Sequence, residues 1–118
     1  MREPARDKDR LEHILNSINN VEEFIQGLDY EGFCNDKLHY YAIVKNIEII
    51  GEAAYYLSKE FREAHTEVPW KMVCGMRHYI VHDYYQVDNQ VVWEVATSDL
   101  PVLKENIKKY LAELEGQK

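Results

Sequence analysis

Residues 11–28, LEHILNSINNVEEFIQGL, decide the fold class. Leu11, Ile14, Leu15, Ile18, Val21, Ile25 and Leu28 recur at steps of three and four, the period of an α-helix. One apolar stripe therefore runs along a helix expected from about Asp7 to Asp29. Gly27, Tyr30, Glu31, Gly32 and Phe33 interrupt the pattern. A second stripe follows through Tyr41, Val44, Ile47, Ile50, Ala54, Leu57 and Phe61 and reads as the longest helix of the chain. Within it, Gly51-Glu52-Ala53-Ala54 removes side-chain bulk for one turn, which marks a point where a neighbouring helix can approach closely.

Working outward, Pro69 stands where a helix can begin, because its missing amide hydrogen is not needed in a first turn. A third helix is expected from Trp70 to about Tyr84, with Val73, Met76, Ile80 and Tyr84 in register. Asp88 can cap a short helix over Gln90 to Ala96, and Ser98 or Asp99 a last one lined by Leu103, Ile107, Tyr110, Leu111 and Leu114. Nothing alternates with period two, and no internal repeat or low-complexity linker is present. The reading is an all-α, up-and-down bundle of four to five helices, forming a single domain over residues 1–118.

Composition narrows the class further. At 118 residues and 46% hydrophobic content the chain is large enough for one core, near the lower end of comfortable size, so a partner or dimer would help it. Fourteen basic against twenty-one acidic residues give a net charge of -7, a field that repels nucleic acid. Any nucleic-acid contact must then be local. Cys34 and Cys74 are isolated, without metal-ligand or redox spacing, and fit reduced thiols in a cytosolic protein. The charged start MREPARDKDR is unlike a signal peptide, and no stretch approaches the roughly 20 apolar residues of a membrane span. A soluble, cytoplasmic protein is expected, with no membrane contact.

The chemistry concentrates in Arg77-His78-Tyr79-Ile80-Val81-His82-Asp83-Tyr84. Arg is a rigid fork of donors suited to phosphate, His changes charge near neutral pH, and Tyr carries a modifiable hydroxyl. On an ideal helix, positions 77 and 84 lie within about 20° of each other, whereas 77 and 82 diverge by roughly 140°. Either the helix distorts or ends near His82, or a second copy brings its own motif alongside across a twofold axis. The shared site is favoured, because it gathers two Arg and two His into one locally positive cleft. His78 and His82 share a face at i and i+4 with Asp83 adjacent, but no Glu completes a zinc helix, His65 is distant, and Cys74 at i−4 from His78 gives only a ladder on one helix that cannot wrap a tetrahedral ion. No metal is expected.

Plainer roles exist for each residue. His82 could be a structural histidine at a helix end, where the dipole favours a cation. Arg77 could pair with Glu48 or Glu52, and Tyr84 could be a core tyrosine with its hydroxyl at the rim.

Taken together, Gly51-Glu52-Ala53-Ala54, Val68-Pro69-Trp70, the run from Met76 to Tyr85, Val87-Asp88, Val92-Trp93 and Asp99-Leu100-Pro101 resemble the HepT-type toxins of the HEPN superfamily. The match is collinear and covers nearly the whole chain. The resemblance implies a helical bundle that dimerises with the R-x4-H motifs of both protomers at one cleft. It also implies a metal-independent endoribonuclease activity without a cofactor, RNA as substrate, and a minimal nucleotidyltransferase as cognate antitoxin. Carried onto this chain, the catalytic pair is Arg77 and His82, and Tyr84 is the acceptor of AMP transferred from ATP. The residue after the motif Arg is usually Asn in such proteins. Here it is His78, a candidate polar helper.

In that setting His82 could take the proton from a ribose 2′-hydroxyl or protonate the leaving 5′-oxygen, while Arg77 neutralises charge growing on the phosphoryl oxygens. AMP two residues from His82 would block the cleft and place negative charge where the RNA phosphate must sit. The competing reading is a non-catalytic dimeric helical module that binds the nucleotidyltransferase, to which the acidic balance and His78 lend weight.

Overall fold

The computed structural model describes the backbone of residues 2–82 and 89–116 and the side chains of residues 6–76 and 89–116. Among these every regular element is a helix: α1 Arg2–Ile25, α2 Tyr30–Cys34, α3 Lys37–Tyr55, α4 Lys59–Ala64, α5 Trp70–His82, α6 Asn89–Glu94 and α7 Leu100–Gly116, the last two joined by a π-helical turn, Val95–Asp99. The all-α bundle expected from the periodicity is what forms.

The stripe of residues 11–28 makes α1. Leu11, Ile14, Ile18 and Val21 are fully buried, with Leu15, Phe24 and Ile25 packed at their edge. The helix stops at Ile25 rather than near Asp29, because Gly27 takes a left-handed φ of 82° that ends a helix without a Cβ clash. Asp29 is instead the cap of α2, its Oδ1 accepting from the Gly32 amide at 2.7 Å. This short, unforeseen helix inserts the fully buried Phe33 beside Tyr40 and Trp93, with ring centroids 5.4 and 5.2 Å away.

The second stripe is divided. Asp36 caps α3 through the His39 amide at 3.0 Å, and α3 ends at Tyr55, so Phe61 belongs to α4. Ser58 makes the division: its Oγ accepts from the Phe61 amide, while its own N–H and hydroxyl donate to the buried carboxylate of Asp7 at 2.8 and 2.7 Å. The longest helix is therefore α1, with 24 residues against 19 in α3.

α3 is the central rod, packed on α1 along one side and α5 along another, while α1 also meets α7 and the π turn. Gly51, Ala53 and Ala54 are buried in α3, as expected of a crossing point. Asn46, also buried, is fully used: it donates to the Ala42 carbonyl at 2.8 Å and accepts from Asn20 of α1 at 3.1 Å. The core polar groups thus tie α1 to α3 rather than standing orphaned.

The expected break before the last helix does not occur. Ser98 and Asp99 are not caps, because Leu100 keeps α-helical dihedrals (φ −65°, ψ −37°) although it precedes a proline. Its amide bonds back to the Val95 carbonyl, and the Thr97 hydroxyl donates to the Trp93 carbonyl at 2.7 Å. The register shift falls on the turn just before Pro101, which has no N–H to give. The proposed cap Asp88 lies outside the described residues.

Candidate functional site

α5 begins as its sequence dictates. The Pro69 carbonyl accepts from the Met72 and Val73 amides, both at 3.0 Å, and Trp70 buries its ring while its Nε1 donates to the His65 carbonyl at 2.7 Å. From there the backbone is helical through His82, so Arg77, His78 and His82 are carried on one rod beside α3. No break between residues 77 and 82 brings their positions to one face. At about 100° per residue they leave the helix roughly 140° apart, while positions 78 and 82 lie within about 40°. The side chains of Arg77, His78 and His82, and the whole of Tyr84, lie outside the described residues.

The other groups weighed from sequence fall in place around this rod. His65 is a structural clamp between α4 and α7: it stacks on Phe61 at 4.0 Å, its Nδ1 lies 2.9 Å from the Phe61 carbonyl, and its Nε2 is 3.3 Å from Glu113. Beside it the buried Tyr110 hydroxyl donates to Glu67 at 2.7 Å. Burial, then the Glu67 hydrogen bond, hold that phenol above its ordinary range, and the same hydrogen bond lowers the Glu67 carboxyl. Glu48 lies 3.8 Å from Lys45. Cys34 and Cys74 are both free and half-buried, and burial pushes the Cys74 thiol up. Among the described residues no group of three His, Cys, Asp or Glu is placed to hold a metal ion, and no helix is long and apolar enough to cross a membrane.

One feature escaped sequence reading. Between α5 and the α6–α7 run lies a groove of about 670 Å³ lined by Met72, Val73, Met76, Val91, Val95 and Leu103, with Glu67 and Asp99 among its few polar groups. Met72, Val91 and Val102 are apolar yet exposed there, which was the available signal. Its described lining is mostly apolar and holds no Lys, Arg or His.

With the geometry in hand, comparison with known proteins places the chain. The family model described as Ribonuclease HepT-like matches residues 14–110. A protein of Caldanaerobacter subterraneus subsp. tengcongensis named "Putative RNase TTE0752" is 41% identical over 101 residues, covering 86% of this chain and 90% of that one. "Putative RNase MJ1216" of Methanocaldococcus jannaschii is 36% identical over 115 residues, 97% of this chain and 95% of its own. "Probable ribonuclease HepT" of Thermococcus cleftensis is 37% identical over 102 residues, 86% and 93% of the two chains. No solved structure is matched. A family match over residues 14–110, with relatives 36–41% identical over most of both chains, means that this protein belongs to the HepT-like ribonuclease family.

Proposed function

We propose that this chain is a metal-independent endoribonuclease, a single cytoplasmic domain acting as a homodimer, and the toxin of a pair whose antitoxin is a minimal nucleotidyltransferase. The observation that carries the reading is the sequence Arg77-x4-His82-x-Tyr84, whose Arg77 and His82 positions lie on α5, in a chain of a ribonuclease family. Because the 77 and 82 positions diverge on an unbroken helix, the site is completed by the partner's α5, which supplies the missing member of each pair.

In the reaction, one His82 takes the ribose 2′-hydroxyl proton as the 2′-oxygen bonds to the adjacent phosphorus. The P–O5′ bond breaks, and a second His82 protonates the departing 5′-oxygen. Arg77 neutralises the phosphoryl oxygens as charge builds, and His78, in place of the usual Asn, adds a polar contact. AMP on Tyr84 silences the enzyme by filling the cleft with a bulky anion.

The net charge of -7 favours a second reading, a non-catalytic module that binds the nucleotidyltransferase. One experiment separates them. Purified protein should cut RNA without added metal, His82→Ala should lose at least about a hundredfold in rate while remaining a folded dimer, and Tyr84→Phe should no longer be silenced by the nucleotidyltransferase and ATP. Cleavage retained by His82→Ala overturns the site; no cleavage by any form supports the binding module.

A further inference from the structure

A second cluster of chemistry lies away from α5, where the N-terminal half of α1 meets the C-terminal end of α3. Arg6, Arg10 and His13 stand at i, i+4 and i+7 and so form one cationic stripe along α1. Arg10 and His13 wall a pocket of about 260 Å³ whose other lining is Ile49, Glu52, Ala53 and Tyr56.

Three observations set this place apart from ordinary solvated helix. First, among the described residues no carboxylate lies within 4.0 Å of Arg6, Arg10 or His13, a state they share with Lys37, Arg62, Lys71 and Lys109, but here three such groups fall on one face of one helix. Second, the Arg10 guanidinium lies 5.4 Å from the centre of the Tyr56 ring, and its shielded Nε has no hydrogen-bond partner among the described residues. Third, Tyr55 and Tyr56 are both more than half exposed and stand edge to face at 5.2 Å, two aromatic rings left in water beside a cation. A packed core would have no use for such an arrangement. A single-stranded nucleic acid has: phosphates take the cations, and bases of any identity take the ring faces.

We infer that the Arg6–Arg10–His13 stripe with Tyr55 and Tyr56 is an accessory subsite for single-stranded RNA, holding one nucleotide of the strand at a distance from the α5 motif. Its volume falls below the range of pockets that enclose whole drug-sized ligands and suits a single base. Glu52 fixes the polarity of the fit, since its carboxylate repels phosphate and accepts from base N–H groups, leaving the backbone to the α1 side. The inference rests on the reading of the chain as an RNA-cleaving enzyme. It also supplies a local positive contact for an acidic protein, whose overall field opposes RNA binding.

The test uses the full chain and a fluorescent single-stranded RNA of about twelve nucleotides with 2′-O-methyl groups, which cannot be cut by 2′-hydroxyl attack. Arg10→Gln should weaken binding about tenfold and reduce the slope of log affinity against log salt by roughly 0.7, the contribution of one phosphate contact on a single strand. Tyr56→Leu should weaken binding by a similar factor and leave the slope unchanged, because stacking releases no counterions. His13→Gln, at an exposed position, should lower affinity in the same direction even if Arg10→Gln proves poorly folded. Affinity and slope equal to wild type in folded variants overturn the subsite. The two readings fail separately: lost RNA cleavage in His82→Ala with unaltered binding in the α1 and α3 variants removes only the subsite. Weakened binding in those variants, from a chain that never cuts RNA, supports the subsite and removes only the catalytic reading.

Discussion

The α1–α3 seam and the α5 to α6–α7 groove are built from the same kind of helix and finished in opposite ways. In the seam the buried Asp7 and Asn46 are both answered: Asp7 meets both donors of Ser58, and Asn46 meets Asn20 and the Ala42 carbonyl. In the groove, apolar side chains such as Met72 and Val102 are each 64% exposed and stop short of closing on one another. The difference teaches that stability is concentrated in the α1–α3 half. Among the described residues the groove between α5 and the α6–α7 run stays open.

The comparison breaks most sharply at Asp7. Asp7→Ala leaves the Ser58 N–H and hydroxyl without acceptors and weakens the cap of α4, so unfolding free energy should fall by about 2–3 kcal/mol in a denaturant titration. An unchanged midpoint would show that the seam does not depend on it. A smaller effect is expected at Tyr110, where Tyr110→Phe should cost about 1 kcal/mol at neutral pH. There the sign with pH is diagnostic. The folded phenol is held above its ordinary value, so its contribution is complete below about pH 10 and is lost as pH rises further. Wild type should therefore lose stability at alkaline pH more steeply than Tyr110→Phe; parallel melting curves above pH 10 would refute the coupling. The smallest effect belongs to the groove: Val102→Ser should change stability by less than about 0.5 kcal/mol, and a larger loss would mean that the groove is closed in solution.

Much of the fold was legible because burial writes its period directly into the sequence. Leu11, Ile14, Ile18 and Val21, and then Ile47, Ile50 and Ala54, were read from spacing alone and are fully buried. What was missed depends on competition between neighbouring signals. Asp29 and Ser58 each open a short helix inside what periodicity reads as an interruption or a continuation, and only the partners Gly32 and Asp7 reveal which. Ser98 and Asp99 are residue types that cap helices, yet a wider turn carries the helix through them. The site divides in the same way. Arg77, His82 and Tyr84 stood out as costly residues in an apolar stretch, but their roles came from resemblance, since spacing alone separates Arg77 from His82. The Arg10–Tyr56 pairing joins residues 46 positions apart in the sequence, which no local pattern can show.

The π turn has a consequence for how the last rod keeps its face. Val92, Ala96 and Leu100 are all but completely buried although they are spaced by two successive steps of four. In a regular α-helix two such steps overshoot full rotations by about 80°, which would spread the three across most of the width of one apolar stripe. A turn that advances fewer degrees per residue cancels the overshoot, so Val95–Asp99 acts as a phase corrector. Removing a single residue from it would let a regular α-helix run through with Val92 and Leu100 seven positions apart and still within about 20° of each other, so the π turn is where the rod absorbs one extra residue without losing its face.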